Sequence, residues 1–229
     1  MRYITEQELR RLFAKGIPQE YALPRDAKLT PAARQYLTDL RLYRPEGGRQ
    51  GRPAPSSSGP KPEHMTHLTP DELVPKTHPR IALRGRLDSL QADILWAQAA
   101  AAERGAGELV PALEDALSLA RRVLAAEVTG KPLGEWLLGG MTPAQVRASS
   151  HRPQDFGFLS HVLPSAAQGM MAALLNRLRT QARETELAAA AAFCWEGAPC
   201  GREDLLLALN RLSSYFYLLE LKTVKGKEG

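Results

Sequence analysis

The chain has 229 residues, of which 44% are hydrophobic and 24% charged, and its formal net charge is +5. These values are ordinary for one globular domain with an appendage, and a helical core of about 150 residues needs no disulfide or metal to fold. Residues 1–11 lack the apolar stretch of a secretory signal, and the longest apolar run, 187–195, is too short to span a bilayer. We therefore expect a cytoplasmic protein with no membrane partner.

Residues 1–44 predict a small α/β appendage. The sequence Thr5-Glu6-Gln7-Glu8 is a capping box, which predicts a helix that ends at Gly16. Thr30-Pro31 predicts the start of a second helix, and Tyr21–Leu23 and Leu40–Tyr43 are strand candidates. No task for the appendage follows from these patterns.

Residues 45–62 predict a flexible linker. They contain five Pro, four Gly and three Ser, a composition that buries too little apolar surface to offset chain entropy. Several basic residues of the chain lie there or in the tail, without zinc-finger spacing or a recognition helix. The positive charge therefore does not indicate nucleic acid as a partner.

Residues 63–229 predict a helical domain. Apolar positions recur with helical spacing and are interrupted by glycine or proline, so the fold class is mainly α: an up-and-down bundle of about five helices. No comparable strand pattern appears after the linker. The predicted helices span 78–104, 108–129, 143–149, 166–194 and 202–225.

The two cysteines, Cys194 and Cys200, flank a short loop-like stretch. A disulfide within that loop is one interpretation. Two reduced thiols in a cytoplasmic protein are the interpretation that we favour from sequence.

Three charged residues, Arg179, Arg183 and Glu186, share one face of the fourth bundle helix. Spacings of four and three place them within an arc of about 60°, at the edge of an apolar stripe. Charges at a core boundary are costly unless they meet partners or a ligand. Spacing alone favours a ladder of structural ion pairs, with a ligand site as the alternative.

Four segments, taken in order along the chain, favour the ligand site instead. Together they resemble the ethanolamine-utilisation cobalamin adenosyltransferases and, more distantly, the propanediol-utilisation type. The resemblance covers most of residues 66–222. The segments are Thr66-His67-Leu68-Thr69 through Leu87-Asp88-Ser89; Ser150-His151-Arg152-Pro153; Leu163-Pro164 through Arg183-Glu184-Thr185-Glu186; and Ala208-Leu209-Asn210-Arg211-Leu212-Ser213-Ser214.

The resemblance implies an enzyme that transfers the 5′-deoxyadenosyl group of ATP to cobalt(I) of a corrinoid. It implies that Lys76 and Arg80 hold phosphates. Arg179 and Arg183 would face ATP with Glu186 beside them, and Asn210 would contact the nucleotide. Asp88 would pair with Arg179 across a subunit boundary and position the corrin, so that Asp88, Arg179 and Arg183 form the catalytic group.

The corrinoid side is assigned by the same resemblance. In propanediol-type enzymes an aromatic residue two positions before the Leu-Pro pair lies under the corrin and removes its lower axial ligand. His161 holds that position here, and Phe158, close upstream, is the more natural wedge. The alternative is that Phe156 and Phe158 anchor a loop onto the bundle.

The cofactors and partners follow from the resemblance and from one departure. Many ethanolamine-type members carry a His/Cys cluster that binds a transition metal, but residues 45–62 contain neither residue type, and His64 and His67 alone do not form a tetrahedral site. We predict ATP with Mg²⁺ and no transition metal. The predicted partners are cob(II)alamin or cob(I)alamin, an electron-donating reductase and a homo-oligomer (dimer or trimer), with ethanolamine ammonia-lyase or its microcompartment as candidates.

Two other functions stay open at this point. A non-catalytic helical scaffold of a microcompartment would use the arginines as structural ion pairs. A corrinoid- or nucleotide-binding chaperone would keep the pocket without turnover.

Overall fold

The computed structural model describes residues 2–14, 18, 21, 23–24, 27–40, 42, 61–159, 161–194 and 199–228. The chain divides into two compact units, one of residues 1–61 with 195–199 and one of residues 62–194 with 200–229. Each unit has its own hydrophobic core. Most of the predicted linker, residues 45–60, lies outside the described residues.

The N-terminal unit contains β1 (Arg2–Ile4), α1 (Glu6–Leu12), β2 (Ala27–Leu29) and α2 (Pro31–Asp39). The predicted capping box at Thr5 is confirmed, with the Glu8 carboxylate accepting from the Thr5 backbone N–H at 2.8 Å. The strands pair in parallel, Ile4 opposite Leu29. Their apolar side chains and those of the two helices enclose a small core.

Three predictions for this unit are wrong. The first helix ends at Leu12, four residues before Gly16, which lies outside the described residues. The described residues of the strand candidates 21–23 and 40–43 are not in strands. Tyr21, Leu23, Leu40 and Leu42 are apolar because they pack onto the core, not because they form a ladder.

A β-hairpin precedes the bundle, where the sequence predicted only helix, so that prediction is wrong. β3 (Met65–Thr69) and β4 (Glu72–Pro75) pair antiparallel, with an irregularity between His67 and Thr69. Only Leu68 and Val74 of the hairpin are buried, which leaves little alternation in the sequence.

Four long helices form the bundle, as predicted. They are α3 (Pro79–Glu103), α4 (Leu109–Thr129), α6 (Gly169–Phe193) and α7 (Glu203–Glu228). Each packs against two others: α3 against α4 and α6, and α7 against α4 and α6. Leucine and alanine fill the space between them, since their helical spacing directs one face of each helix inward. No described helix is long and apolar enough to cross a membrane.

Shorter elements connect α4 to α6 and close one side of the bundle. α5 (Pro143–Ser150) begins at a capping box on Thr142 and packs against α7. A 3₁₀ turn at Pro153–Phe156 follows, and Phe156 packs against the bundle core, as the loop-anchor alternative predicted for that residue. A second 3₁₀ turn, Ala166–Gln168, precedes α6, so this helix begins three residues later than predicted.

Cys194 and Cys200 form a disulfide, and the prediction of two reduced thiols is therefore wrong. Cys194 directly follows α6, and Cys200 lies three residues before α7. The antiparallel packing of α6 and α7 brings these two helix ends together, which a sequence spacing of six does not reveal by itself.

Candidate active site

A cleft of about 580 Å³ opens between α5, α6, α7 and the segment 161–164. Counted over the described residues, its walls carry four arginines and two histidines but one carboxylate, so the cleft is strongly positive. These charged and ionisable residues are Arg147, His151, His161, Arg179, Arg183, Arg211 and Glu220.

The two arginines singled out by spacing both line this cleft. Arg179 is half-buried, and its Nε and Nη2 donate to Oδ1 of Asn176 at 3.1 and 2.7 Å. Arg183 lies one turn further along α6 and is exposed. Asn176 thus fixes Arg179 from its own helix, while Arg183 extends into the open part of the cleft.

A chain of hydrogen bonds joins the three helices beside these arginines. Asn210 Nδ2 donates to Glu186 Oε1 at 2.8 Å, and Asn210 Oδ1 accepts from Arg211 Nη1. Arg211 Nε donates to the Pro143 carbonyl at 3.0 Å. Both ends of the Asn210 amide are therefore bonded, as an asparagine in the middle of a helix requires.

Arg211 is the buried member of this chain of hydrogen bonds, and the resemblance assigns it no role. It is only 8% exposed. Burial lowers the pKa of its guanidinium, and the neighbouring charge of Arg147 lowers it further. Its spacing of three from Ala208 and four from Tyr215, both buried, was the signal that it lies on the inner face of α7.

His161 and Tyr217 form the other end of the cleft. The His161 Nδ1 atom lies 3.0 Å from the Tyr217 hydroxyl oxygen, which also accepts from the Val162 backbone N–H at 3.4 Å. Burial raises the pKa of Tyr217. Phe158 is half-buried and does not line the cleft.

Glu220 is the functional candidate that sequence reasoning missed. It is 1% exposed, and within the described part of the chain neither carboxyl oxygen has a hydrogen-bond partner. Burial raises the pKa of this carboxyl, and the charge of Arg179 opposes that shift. The signal was its spacing of four from both Phe216 and Val224, which are buried on the same face.

Replacing Glu220 with glutamine should stabilise the protein at pH 8 by about 1–3 kcal/mol, because the buried amide is neutral whereas the buried carboxylate carries a charge, which costs more to bury than a neutral polar group. The folded state keeps the proton of Glu220 to a higher pH than the unfolded state. Wild-type stability is therefore lost as pH rises from the unfolded pKa through the raised folded pKa, whereas the glutamine variant has no such loss.

Urea unfolding at pH 4.5 and pH 8 measures this difference. The charged and titratable groups near Glu220 include Arg179 and Tyr217, and the raised pKa of Tyr217 keeps its hydroxyl neutral over this range. Glu184→Gln is the control, because Glu184 is half-exposed in its ion pair with Arg86. If Glu220→Gln stabilised the protein equally at both pH values, the raised pKa of Glu220 in the folded state would be contradicted.

The three remaining predicted residues, Lys76, Arg80 and Asp88, lie outside the cleft of their own chain. Lys76 is exposed and lies 3.8 Å from Glu63. Arg80 binds the fully buried Glu127, with 2.5 Å between Nε and Oε1. Asp88 is exposed on α3, whereas Arg179 is bonded to Asn176, so the structure does not bring Asp88 and Arg179 together within one chain.

The chain thus combines a four-helix bundle with a positive cleft whose arginines come from α5, α6 and α7. The family model described as cobalamin adenosyltransferase matches residues 57–223, and the chain belongs to this family. It is therefore a transferase whose substrates are ATP and a corrinoid. A second model, the N-terminal domain of corrinoid adenosyltransferase EutT, matches residues 3–49.

The similarity to known proteins covers nearly the whole chain. Corrinoid adenosyltransferase EutT of Escherichia coli K12 is 34% identical, and that of Salmonella typhimurium is 35% identical. Each alignment covers 97% of this chain and 92% of the relative. No solved structure matches the chain. The resemblance identified from the sequence, and with it the predicted activity, is confirmed.

Proposed function

We propose that the cleft holds ATP with its C5′ carbon presented to the cobalt of a corrinoid, and that Arg179 and Arg183 bind its phosphates. The observation that carries this proposal is their shared position in one positive cleft beside the Glu186–Asn210 hydrogen bond. Guanidinium groups suit the role because their planar fork donates two parallel bonds to anionic oxygens. Glu186 and Arg211 hold the Asn210 amide in place, and the second N–H of that amide is proposed to contact the nucleotide.

The reaction explains why this site needs cations and no general base. Cobalt(I) attacks C5′, a cobalt–carbon bond forms, and the bond from C5′ to oxygen breaks with its electron pair leaving on triphosphate. No proton moves in this step. Charge develops on the leaving oxygen, so preorganised donors there stabilise the transition state.

The corrinoid belongs at the His161 end of the cleft. The contact of His161 Nδ1 with the Tyr217 hydroxyl limits rotation of the imidazole and leaves Nε2 free to face a ligand. Phe158 is proposed as the residue that displaces the lower axial ligand, which requires its segment to move towards the cleft when the corrinoid binds. Losing that ligand eases reduction of cobalt(II), for which an external reductase supplies the electron.

A second copy of the chain is proposed to complete the site. Lys76, Arg80 and Asp88 lie outside the cleft of their own chain, so they can serve ATP or the corrin only across an interface. A dimer or trimer would bring Asp88 of one subunit to Arg179 of another. Arg80 would also have to share its guanidinium between Glu127 and the phosphates.

The proposed cellular role is to supply adenosylated corrinoid to ethanolamine ammonia-lyase, in the cytoplasm or in a microcompartment. It is supported by the similarity to proteins named EutT and by the match of residues 3–49 to their N-terminal domain. The appendage is the segment that we propose for any microcompartment contact.

Removing transition metals should leave activity intact once Mg²⁺ is restored. Mg²⁺ accompanies the phosphates of ATP, and within the described ranges no group of three or more His, Cys, Asp or Glu side chains is arranged to hold a metal. The measurement is turnover after chelation, with Mg²⁺ and then Zn²⁺ or Fe²⁺ added back. Stoichiometric iron or zinc in the purified protein, or recovery with a transition metal alone, would contradict this prediction.

The test of the proposed function uses the full chain with Mg²⁺, ATP and chemically reduced cobalamin. Formation of the cobalt–carbon chromophore and equimolar release of triphosphate are expected, and Arg183→Ala should abolish most of both. Arg121→Ala is the control, since Arg121 is exposed on α4 beside Glu114. Unchanged turnover in Arg183→Ala would show that the chemistry takes place elsewhere.

A further inference from the structure

Arg147 is a cation of the cleft to which the proposed function assigns no role. It lies in the last turn of α5, is exposed, and lines the cleft with Arg183 of α6 and Arg211 of α7. Among the described residues, no carboxylate forms an ion pair with it and no acceptor receives its hydrogen bonds. A structural arginine would normally have such partners, so the exposed guanidinium is free to bind a ligand.

The position of Arg147 is imposed by the docking of α5 on α7. The Pro143 carbonyl at the start of α5 accepts from Arg211 Nε at 3.0 Å, which ties the helix to the buried arginine. Arg147 then lies close enough to Arg211 for its charge to disfavour the charged form of that guanidinium. The fold thus holds two like charges near each other in a partly buried place.

These two charges are only partly compensated. Glu186 favours the charged form of Arg211, and Glu220 is the one carboxylate among the described residues that line the cleft, against four arginines. His151 follows Arg147 by four residues, at the end of α5, and lines the same cleft. An excess of cations in a concave site is stabilised by an anion that contacts all of them at once.

We propose that Arg147, together with Arg211 and His151, forms the subsite for the distal phosphates of ATP and for the triphosphate that leaves. This inference rests on the proposed function, because it takes ATP as the ligand of the cleft. It also fits the sequence, which has no GxxxxGK[ST] phosphate-binding motif.

This assignment gives each group of cations its own part of the ligand. Arg179 and Arg183 bind the phosphates near C5′, and the subsite of Arg147, Arg211 and His151 binds the distal phosphates. Arg147 therefore contributes to the binding of any polyphosphate but not to the binding of adenosine. A positive subsite of this kind also makes affinity fall as salt rises.

The experiment is titration calorimetry of the full-length protein with tripolyphosphate, ATP and adenosine. Arg147→Gln should weaken tripolyphosphate and ATP at least tenfold, roughly the effect of losing one charge-assisted contact, and leave adenosine unchanged. Arg147→Lys should restore part of the affinity. Arg152→Gln is the matched control, because Arg152 is an exposed arginine of the next turn that does not line the cleft.

Two results would overturn the inference. One is a tripolyphosphate affinity in Arg147→Gln within twofold of wild type, and the other is an equal loss for adenosine, which would indicate a structural role. If Arg147→Gln does not fold, Arg147→Lys and the salt dependence of tripolyphosphate binding decide in its place. Failure of the proposed function differs from both, since wild type would then neither bind ATP nor form the cobalt–carbon bond.

Discussion

Replacing Glu127 with alanine should lower the free energy of unfolding by about 3–5 kcal/mol, the cost of removing one member of a buried ion pair. Glu127 is 0% exposed near the end of α4. Its Oε1 lies 2.5 Å from Arg80 Nε, and its Oε2 lies 2.6 Å from Arg84 Nε. Alanine would leave two guanidiniums at the start of α3 without their counter-charge.

Chemical denaturation of the variant and of Glu184→Ala measures this effect against a control. Glu184 forms a comparable ion pair with Arg86 at 2.8 Å, but both side chains are 52% exposed, so its loss should cost less than about 1 kcal/mol. Equal losses in the two variants would show that the burial of Glu127 adds nothing. The same pair indicates that Arg80 has a structural task whether or not it also meets ATP.

Asp88→Asn and Arg179→Ala should each lower kcat/KM for adenosyl transfer by about 10²–10³, the usual effect of losing one preorganised electrostatic contact. Asp88 is exposed in the single chain, so its proposed partner is Arg179 of another subunit. If the two side chains act as a pair, the double variant should be far less impaired than the product of the two single effects.

Arg177→Ala is the control for Arg179→Ala, because it removes an arginine from the same helix. Arg177 pairs with Asp93 at 3.3 Å and does not line the cleft, so its loss should leave turnover near wild type. Strictly multiplicative effects of Asp88→Asn and Arg179→Ala would exclude a direct pair. A protein that is monomeric and fully active would exclude the shared site altogether.

The bundle was predictable because its signal is local. The sequence predicts α4 at 108–129, and the structure has it at Leu109–Thr129. The two agree because leucines and alanines at helical spacing continue up to Gly130, and the φ of 70° at this glycine ends the helix. The parallel pairing of β1 with β2 joins segments of three residues that lie more than twenty positions apart. Such strands carry no periodicity that a sequence reading can use.

Helical spacing predicted the candidate site only where one helix builds it, whereas Asn210 and His161, which also line the cleft, were assigned by the family resemblance. Arg179 and Arg183 share a face of α6 by spacing alone, and the structure places both in the cleft. Arg147 and Glu220 depend on how α5 and α7 pack, which no short-range pattern encodes. Asp88 lies between apolar positions of α3, yet its own side chain is exposed and does not line the cleft.

The disulfide between Cys194 and Cys200 has a consequence for how this enzyme is assayed. By the loop-entropy relation, a bond across so short a loop stabilises the fold by about 2 kcal/mol. Both cysteines are half-exposed, and a reductant strong enough to generate cobalt(I) also opens accessible disulfides. Turnover measured with a chemical reductant thus reports on the dithiol form, whereas a dedicated electron donor that reacts only with the corrinoid would leave the joint between α6 and α7 closed.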